Sequence, residues 1–215
     1  MNGADFDLIL LTDCDWFDDL LTAVFVCHTK ILTTVRVTNK NRRINLLHLG
    51  STNSILTYSS LKYILKVLFR KLPSKILNNI QLTVVGNNPD APYSNIIKKY
   101  AIPYKQVTFE GFKQNIEPLF KTHDLQIVAT QYASGIRTKI IESLAHGLPV
   151  MSSEIGARGL YGLKNKENIL LFKNERDFTE IFNGIVHRNK KTILNSIEEY
   201  GDPKSIYFGE ISISL

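Results

Sequence analysis

Within eight residues the chain sets a glycine, Gly135, two cations, Arg137 and Lys139, a hydroxyl, Thr138, and one acid, Glu142. A glycine ahead of a helix lets the backbone turn tightly, and the first-turn amides, which have no intrahelical acceptor, can then face a phosphate. Arg137 and Lys139 add positive charge beside those donors, while Glu142, one turn further on, can accept hydrogen bonds from hydroxyl groups. The chemistry such a set supports is capture of a phosphorylated, hydroxylated ligand. In the competing reading Glu142 sits on a solvated helix face, Gly135 merely serves a turn, and Arg137 and Lys139 point to solvent.

A rival set lies near the start, where Asp13 and Asp15 follow an apolar run in TDCDWFDD. Such a pair could chelate magnesium through hard oxygens. Alternatively Thr12 or Asp13 caps a helix whose first turn is complemented by Asp18 and Asp19. Too little chain separates the pair from the next strand pattern to build a phosphatase-like domain around it. Cys14, Cys27 and His28 have no recognised zinc spacing, so no metal site is assigned, and two cysteines fit packing in a reducing compartment.

Strand and helix patterns alternate along the chain and must position these groups. Residues 44–50, INLLHLG, are an apolar run ending at Gly50, as in a parallel strand covered on both faces. Residues 58–72 carry Leu61, Ile64, Leu65, Leu68 and Leu72 at helical spacing, with Lys62, Lys66 and Arg70 on another stripe, until Pro73 interrupts. A second strand over 81–86 ends at Gly86, a turn-rich loop follows over 87–92, and 93–100 reads as a helix. Residues 107–112, VTFEGF, give a short strand ending at Gly111, then 116–122 a helix and 125–129 a strand. The helix that opens near Gly135 ends at Gly147, a C-terminal cap, and Pro149 forces an extended exit through Val150 and Met151. Residues 177–188 and 191–200 read as two more helices, followed by a loosely specified tail. This alternation predicts an α/β, doubly wound parallel sheet. Ligands of such sheets collect outside the strands' carboxyl ends, where Gly50, Gly86, Gly111 and Ser134 all fall.

Residues 134–160, SGIRTKIIESLAHGLPVMSSEIGARGL, resemble the nucleotide-sugar site of the family 4 glycosyltransferases, whose GT-B fold sets two Rossmann-like domains face to face. The match is to members that carry a glycine-rich G-x-R-x-K stretch, and Ser134 stands where many relatives keep an acid. The resemblance implies that Glu142 hydrogen-bonds the ribose hydroxyls and that the amides around Thr138 and Lys139 hold the distal phosphate. It also implies that the nucleobase lies just after Gly111, with Phe112 and Lys113 as candidates. Where relatives carry a basic pair after the first strand, this chain reads Ser51, Thr52, Asn53 and Ser54. Leaving-group stabilisation then falls to the helix N-terminus with Arg137 and Lys139. The implied donor-binding set is Glu142, Arg137, Thr138, Lys139, Gly135, Ser134, Gly50, Ser51, Gly111, Phe112 and Lys113, with no residue assigned to catalysis and no metal. The implied reaction is retaining transfer of a sugar from a nucleoside-diphosphate sugar, without a cofactor, to an acceptor held by a facing N-terminal domain.

The chain has 215 residues, enough for one sizeable core, whereas a complete two-domain transferase needs roughly 150 or more residues in each half. Residues 41–215 are therefore read as the Rossmann-like, C-terminal half of a GT-B fold, and residues 1–40 as a remnant of the N-terminal domain and a linker. FDLILL, residues 6–11, and the helical stretch 16–26 fit that remnant. A weak or inactive isolated chain is expected, with the acceptor-binding domain supplied separately. Two alternatives keep the fold: a non-catalytic nucleotide-sugar-binding or scaffold module, and half of a nucleotide-sugar epimerase.

A net charge of +6 and a pI near 9.2 favour anionic ligands or an anionic surface. Lys62, Lys66, Arg70, Lys71 and Lys75 form either a solvated helix face or a basic face toward membrane lipid. Nucleic-acid motifs are absent, so nucleic acid is not an expected partner. No run approaches the roughly 20 apolar residues of a spanning helix, and the N-terminus carries acids where a signal peptide has bases. A cytoplasmic protein is expected, with a peripheral contact to the inner face of a membrane as an option. His48 is expected to be a packed core histidine and His146 to serve the helix dipole.

Overall fold

The computed structural model describes residues 43–132, 138–160 and 163–187. Six strands form one parallel sheet: β1 (Ile44–Leu49), β2 (Ile80–Val85), β3 (Val107–Glu110), β4 (Leu125–Val128), β5 (Val150–Ser153) and β6 (Leu170–Phe172). Their order is β3-β2-β1-β4-β5-β6, the doubly wound arrangement expected from the alternating pattern. The chain reverses its direction of travel across the sheet between β1 and β4. The register runs from Ile44 opposite Ile80 to Leu49 opposite Val85, and Leu46 lies opposite Leu125.

Alternation along the strands divides the core between two helical layers. Leu46, Leu82, Val84, Ile127 and Met151 point to one side, under α1 (Ile55–Tyr63), α4 (Ser94–Ala101) and α7 (Glu175–His187). Leu47, Leu49 and Val85 point to the other, against Phe120 of α5 (Glu117–Thr122). Val128 and Val150 share that side with Ile140 and Leu144 of α6 (Thr138–Ala145). The edge beyond β5 is closed by Phe172, Phe178 and Phe182, whose rings meet at 5.3 and 4.9 Å.

The first helix starts earlier than its apolar stripe predicts, at Ile55 instead of residue 58, because the Ser54 hydroxyl accepts the Leu56 N–H at 3.2 Å and acts as the N-cap. It also widens into a π-helical turn over Ile64–Leu68 before the short α2 (Phe69–Lys71). The buried Tyr104 hydroxyl donates to the Leu65 carbonyl within that turn, at 2.8 Å. Sequence periodicity does not anticipate this turn, nor α3 (Ser74–Leu77) after Pro73, nor β6. The third strand ends at Glu110 instead of running on to Phe112. After α6, Gly147 takes φ +73°. The N–H groups of Gly147 and Leu148 then close back on the carbonyls of Leu144 and Ser143, at 3.0 and 2.8 Å, the cap expected there.

The strand and helix expected over residues 6–26, the domain boundary near Asn41, Asp13, Asp15, Cys14, Cys27, His28 and the helix over 191–200 lie outside the described residues.

Candidate functional site

The glycines at the ends of β1, β2 and β3 come together as one rim. Gly50 N–H donates to Val85 carbonyl at 3.0 Å, Thr52 N–H to Gly86 carbonyl at 3.2 Å, and Gly86 N–H to Gly111 carbonyl at 3.2 Å. Thr52 is fully buried; its hydroxyl accepts Asn88 N–H at 2.9 Å and donates to Asn88 carbonyl at 3.2 Å. Ser94 fixes the same loop by donating to the Asn87 side-chain carbonyl at 2.8 Å. Of residues 51–54, Thr52 is thus structural and Ser54 caps α1. Ser51 stays exposed, its hydroxyl accepting Asn53 N–H at 3.2 Å.

At the outer end of the rim the Phe112 ring is 85% exposed, an unusual state for a large apolar side chain beside a strand-end glycine. Its neighbour Lys113 pairs with Glu110 at 3.1 Å. Two of the expected base-side candidates therefore differ: Phe112 offers a free aromatic surface, whereas Lys113 is already engaged.

Across the sheet reversal, α6 presents its first turn to the end of β1. Thr138 is exposed, and Lys139 is half-buried with its ammonium donating to the Leu49 carbonyl at 3.1 Å. A cation ninety residues along the chain from Leu49 is thereby held at the carboxyl end of β1, next to Gly50 and Ser51. The helix is docked by buried Ile140 and Leu144 and by the Ser143 hydroxyl, which donates to the Gln126 side-chain carbonyl. Glu142 is half-buried, and its carboxylate makes no hydrogen bond or ion pair among the described residues. At the far end, His146 closes on the Glu142 carbonyl through its N–H at 3.1 Å and its ring Nδ1 at 2.8 Å, and stacks on Phe120 at 4.6 Å. Ser134, Gly135 and Arg137 lie outside the described residues.

Below the site, His48 is buried, with Nε2 3.0 Å from Ser60 Oγ. The same Ser60 oxygen accepts Ala129 N–H at 3.0 Å. Burial first, and then the charge of Lys139, push the His48 pKa down from 6.5 to about 3. Held neutral, the ring joins β1 and α1 to the end of β4 through Ser60. Just beyond, Ser153 donates to the Thr130 carbonyl at 2.6 Å and accepts Gly156 N–H at 3.0 Å, tying the exits of β4 and β5 together. Thr52, Ser60 and Ser153 are the residues that sequence reasoning missed. Each is a small hydroxyl in or beside an apolar segment, and only its partner across the fold gives it a function.

The family described as "Glycosyl transferases group 1" matches residues 43–187, and a family of unknown function, DUF5764, matches residues 6–72. No curated protein matches the sequence. Among solved structures, the lipopolysaccharide outer core galactosyltransferase WaaB superposes with a TM-score of 0.57 at 15% identity, covering 84% of this chain and 52% of its own. The Anabaena protein Alr3699/HepE, solved with UDP and glucose, gives 0.58 at 16% identity, covering 73% and 42%. The C-terminal domain of a group 1 glycosyl transferase, LpcC, from Francisella tularensis gives 0.52 at 17% identity, covering 73% of this chain and 83% of that domain. The chain thus spans about half the length of the first two, and most of a domain that stands alone.

Proposed function

From a chain that belongs to the group 1 glycosyltransferases, we infer a donor-binding domain that takes a nucleoside-diphosphate sugar at the carboxyl end of its sheet. The observation that carries this reading is the Lys139 ammonium at the Leu49 carbonyl. It sets a cation from the first turn of α6 next to Gly50, at the point where the strand order reverses. A diphosphate laid there meets the N-terminal end of a helix and the positive charge of a lysine.

In this reading Glu142 accepts from the ribose hydroxyls, and its unpaired carboxylate supports that role. Phe112 lies along the nucleobase. Lys139, with Arg137, opposes the charge that develops on the departing diphosphate, in place of the basic pair that residues 51–54 lack. The reaction is transfer of the sugar with retention to an acceptor held by a facing N-terminal domain; the chain spans 52% of WaaB and 42% of HepE.

Calorimetric titration with UDP, GDP and their sugars, on wild type and Glu142→Ala, tests the donor site. Binding of one nucleotide sugar, weakened in the variant, is expected; no binding by any of them sinks the reading. A second reading, a non-catalytic binding module, draws on the exposed Ser51 and the Glu110-paired Lys113, which leave few cations on the rim. Donor binding without transfer, when the facing domain is added, would favour it.

A further inference from the structure

The net charge of residues 43–187 is confined to the first part of that sequence. From Arg43 to Phe109 the sequence carries nine Lys or Arg residues against a single acid, Asp90; from Glu110 to His187 it carries nine against nine. No acid at all occurs between Asp19 and Asp90. The ion pairs follow the same division. Lys113–Glu110, Lys121–Glu117, Lys164–Glu167, Lys173–Glu154 and Arg176–Glu180 all lie in the balanced half. No cation from Arg43 to Lys105 is ion-paired among the described residues.

The unpaired cations include an ordered face on α1 and α4. Ile55, Tyr58, Lys62 and Lys66 follow one another at helical spacing through α1 and the π-helical turn, and Tyr93, Ile96 and Tyr100 do so along α4. The two rows touch: Tyr58 stacks on Tyr93 at 4.7 Å, Lys62 lies 5.9 Å from the Tyr58 ring centre, and Lys66 lies 5.0 Å from that of Tyr100. Ile55 and Ile96 are 52% and 40% exposed. Rows of lysine, tyrosine and exposed isoleucine, without an acid among them, match the layered chemistry of a lipid headgroup region. Ammonium groups meet phosphates, tyrosine rings occupy the interface, and aliphatic tips reach the acyl boundary. A single-stranded nucleic acid would need free ring faces for its bases, but Tyr58 is taken by Tyr93 and Lys62, and Tyr100 by Lys66.

We propose that the α1–α4 face seats this protein on an anionic lipid surface. The proposal is independent of the donor site, because these helices cover one side of the sheet while the rim lies at its strand ends.

Cosedimentation of the full chain with vesicles of phosphatidylglycerol and phosphatidylcholine, and with phosphatidylcholine alone, tests it. Binding is expected only to the anionic vesicles, weakening as salt is raised. Each lysine at a surface is worth roughly fivefold in partition, so K62Q/K66Q should bind at least about tenfold more weakly. K164Q/K173Q removes the same charge from the balanced half and should bind as wild type does. An unchanged far-ultraviolet circular dichroism spectrum guards against misfolding of either variant. Equal binding to neutral vesicles, equal loss in both double variants, or displacement from the vesicles by a single-stranded RNA whose binding also needs Lys62 and Lys66 would overturn the proposal.

Discussion

Gly86 lies so close to Gly50 that a β-carbon added to it would stand 2.7 Å from the Gly50 carbonyl oxygen and 2.9 Å from its carbonyl carbon. Both obstacles are backbone, and Gly86 also holds φ +98°, so a side chain is refused twice. This contact sets the spacing of the loops after β1 and β2, and with it the shape of the rim. Gly86→Ala should cost about 2–4 kcal/mol in urea unfolding. Gly111→Ala, whose β-carbon would meet nothing nearer than the Asn87 carbonyl at 3.9 Å, should fall within about 0.5 kcal/mol of wild type. Equal losses would refute this division of labour.

His48 predicts a specific acid sensitivity. Its folded pKa of about 3 lies below the ordinary 6.5, because burial and Lys139 disfavour the charged ring. The unfolded chain therefore binds a proton that the native one refuses. Its contribution to stability is complete above pH 6.5 and is lost as pH falls toward 3, by about 1.4 kcal/mol per unit. Unfolding followed between pH 7 and 4.5 should show this slope in wild type, and a His48→Phe variant should show it reduced by that amount. An unchanged slope would mean that His48 is not the group responsible.

Ser60 holds both the His48 ring and Ala129 N–H. Ser60→Ala leaves a buried amide and a buried imidazole nitrogen without their partner, at a cost of about 2–4 kcal/mol. Amide hydrogen exchange at Ala129 should quicken along with the loss of stability, and slow exchange there in the variant would show that the Ser60 bond is dispensable.

Tyr104→Phe removes the hydroxyl that satisfies the Leu65 carbonyl inside the π-helical turn. A loss of about 1–2 kcal/mol is expected, without change in the circular dichroism helix signal. A neutral substitution would mean that the turn satisfies that carbonyl without Tyr104.

At the proposed donor site, Glu142→Ala and Lys139→Gln should each weaken nucleotide-sugar affinity by about 10-fold or more, the worth of a hydrogen bond to a charged group. The two should part on nucleoside alone: uridine or guanosine, which lack the diphosphate, should sense Glu142→Ala but not Lys139→Gln. Calorimetry with nucleoside and nucleoside diphosphate distinguishes them.

Much of the fold was legible because strands buried on both faces must be apolar throughout and must end where the chain turns. Residues 44–50 and 81–86 met both conditions, and so did the Gly147–Pro149 exit from α6. The third strand was harder: Val107–Glu110 is short and only partly buried, so its apolar run into Phe112 misplaced its end. In β6 only three residues, LLF, pair with β5, too few to register as a pattern. The start of α1 was set by the Ser54 hydroxyl, a local bond that an apolar stripe does not record.

The sequence by itself determined the parallel sheet, the helix spacing and the resemblance at residues 134–160, because periodicity, glycine and proline act over a few neighbouring residues. Only the tertiary structure decided which polar groups meet: Lys139 with Leu49, Thr52 with Asn88, and Ser60 with His48 and Ala129. These partners lie 12 to 90 residues apart. A hydroxyl or an ammonium group has no preferred partner along a chain. It acquires one when packing of the apolar faces removes water and leaves only a few acceptors or donors within reach.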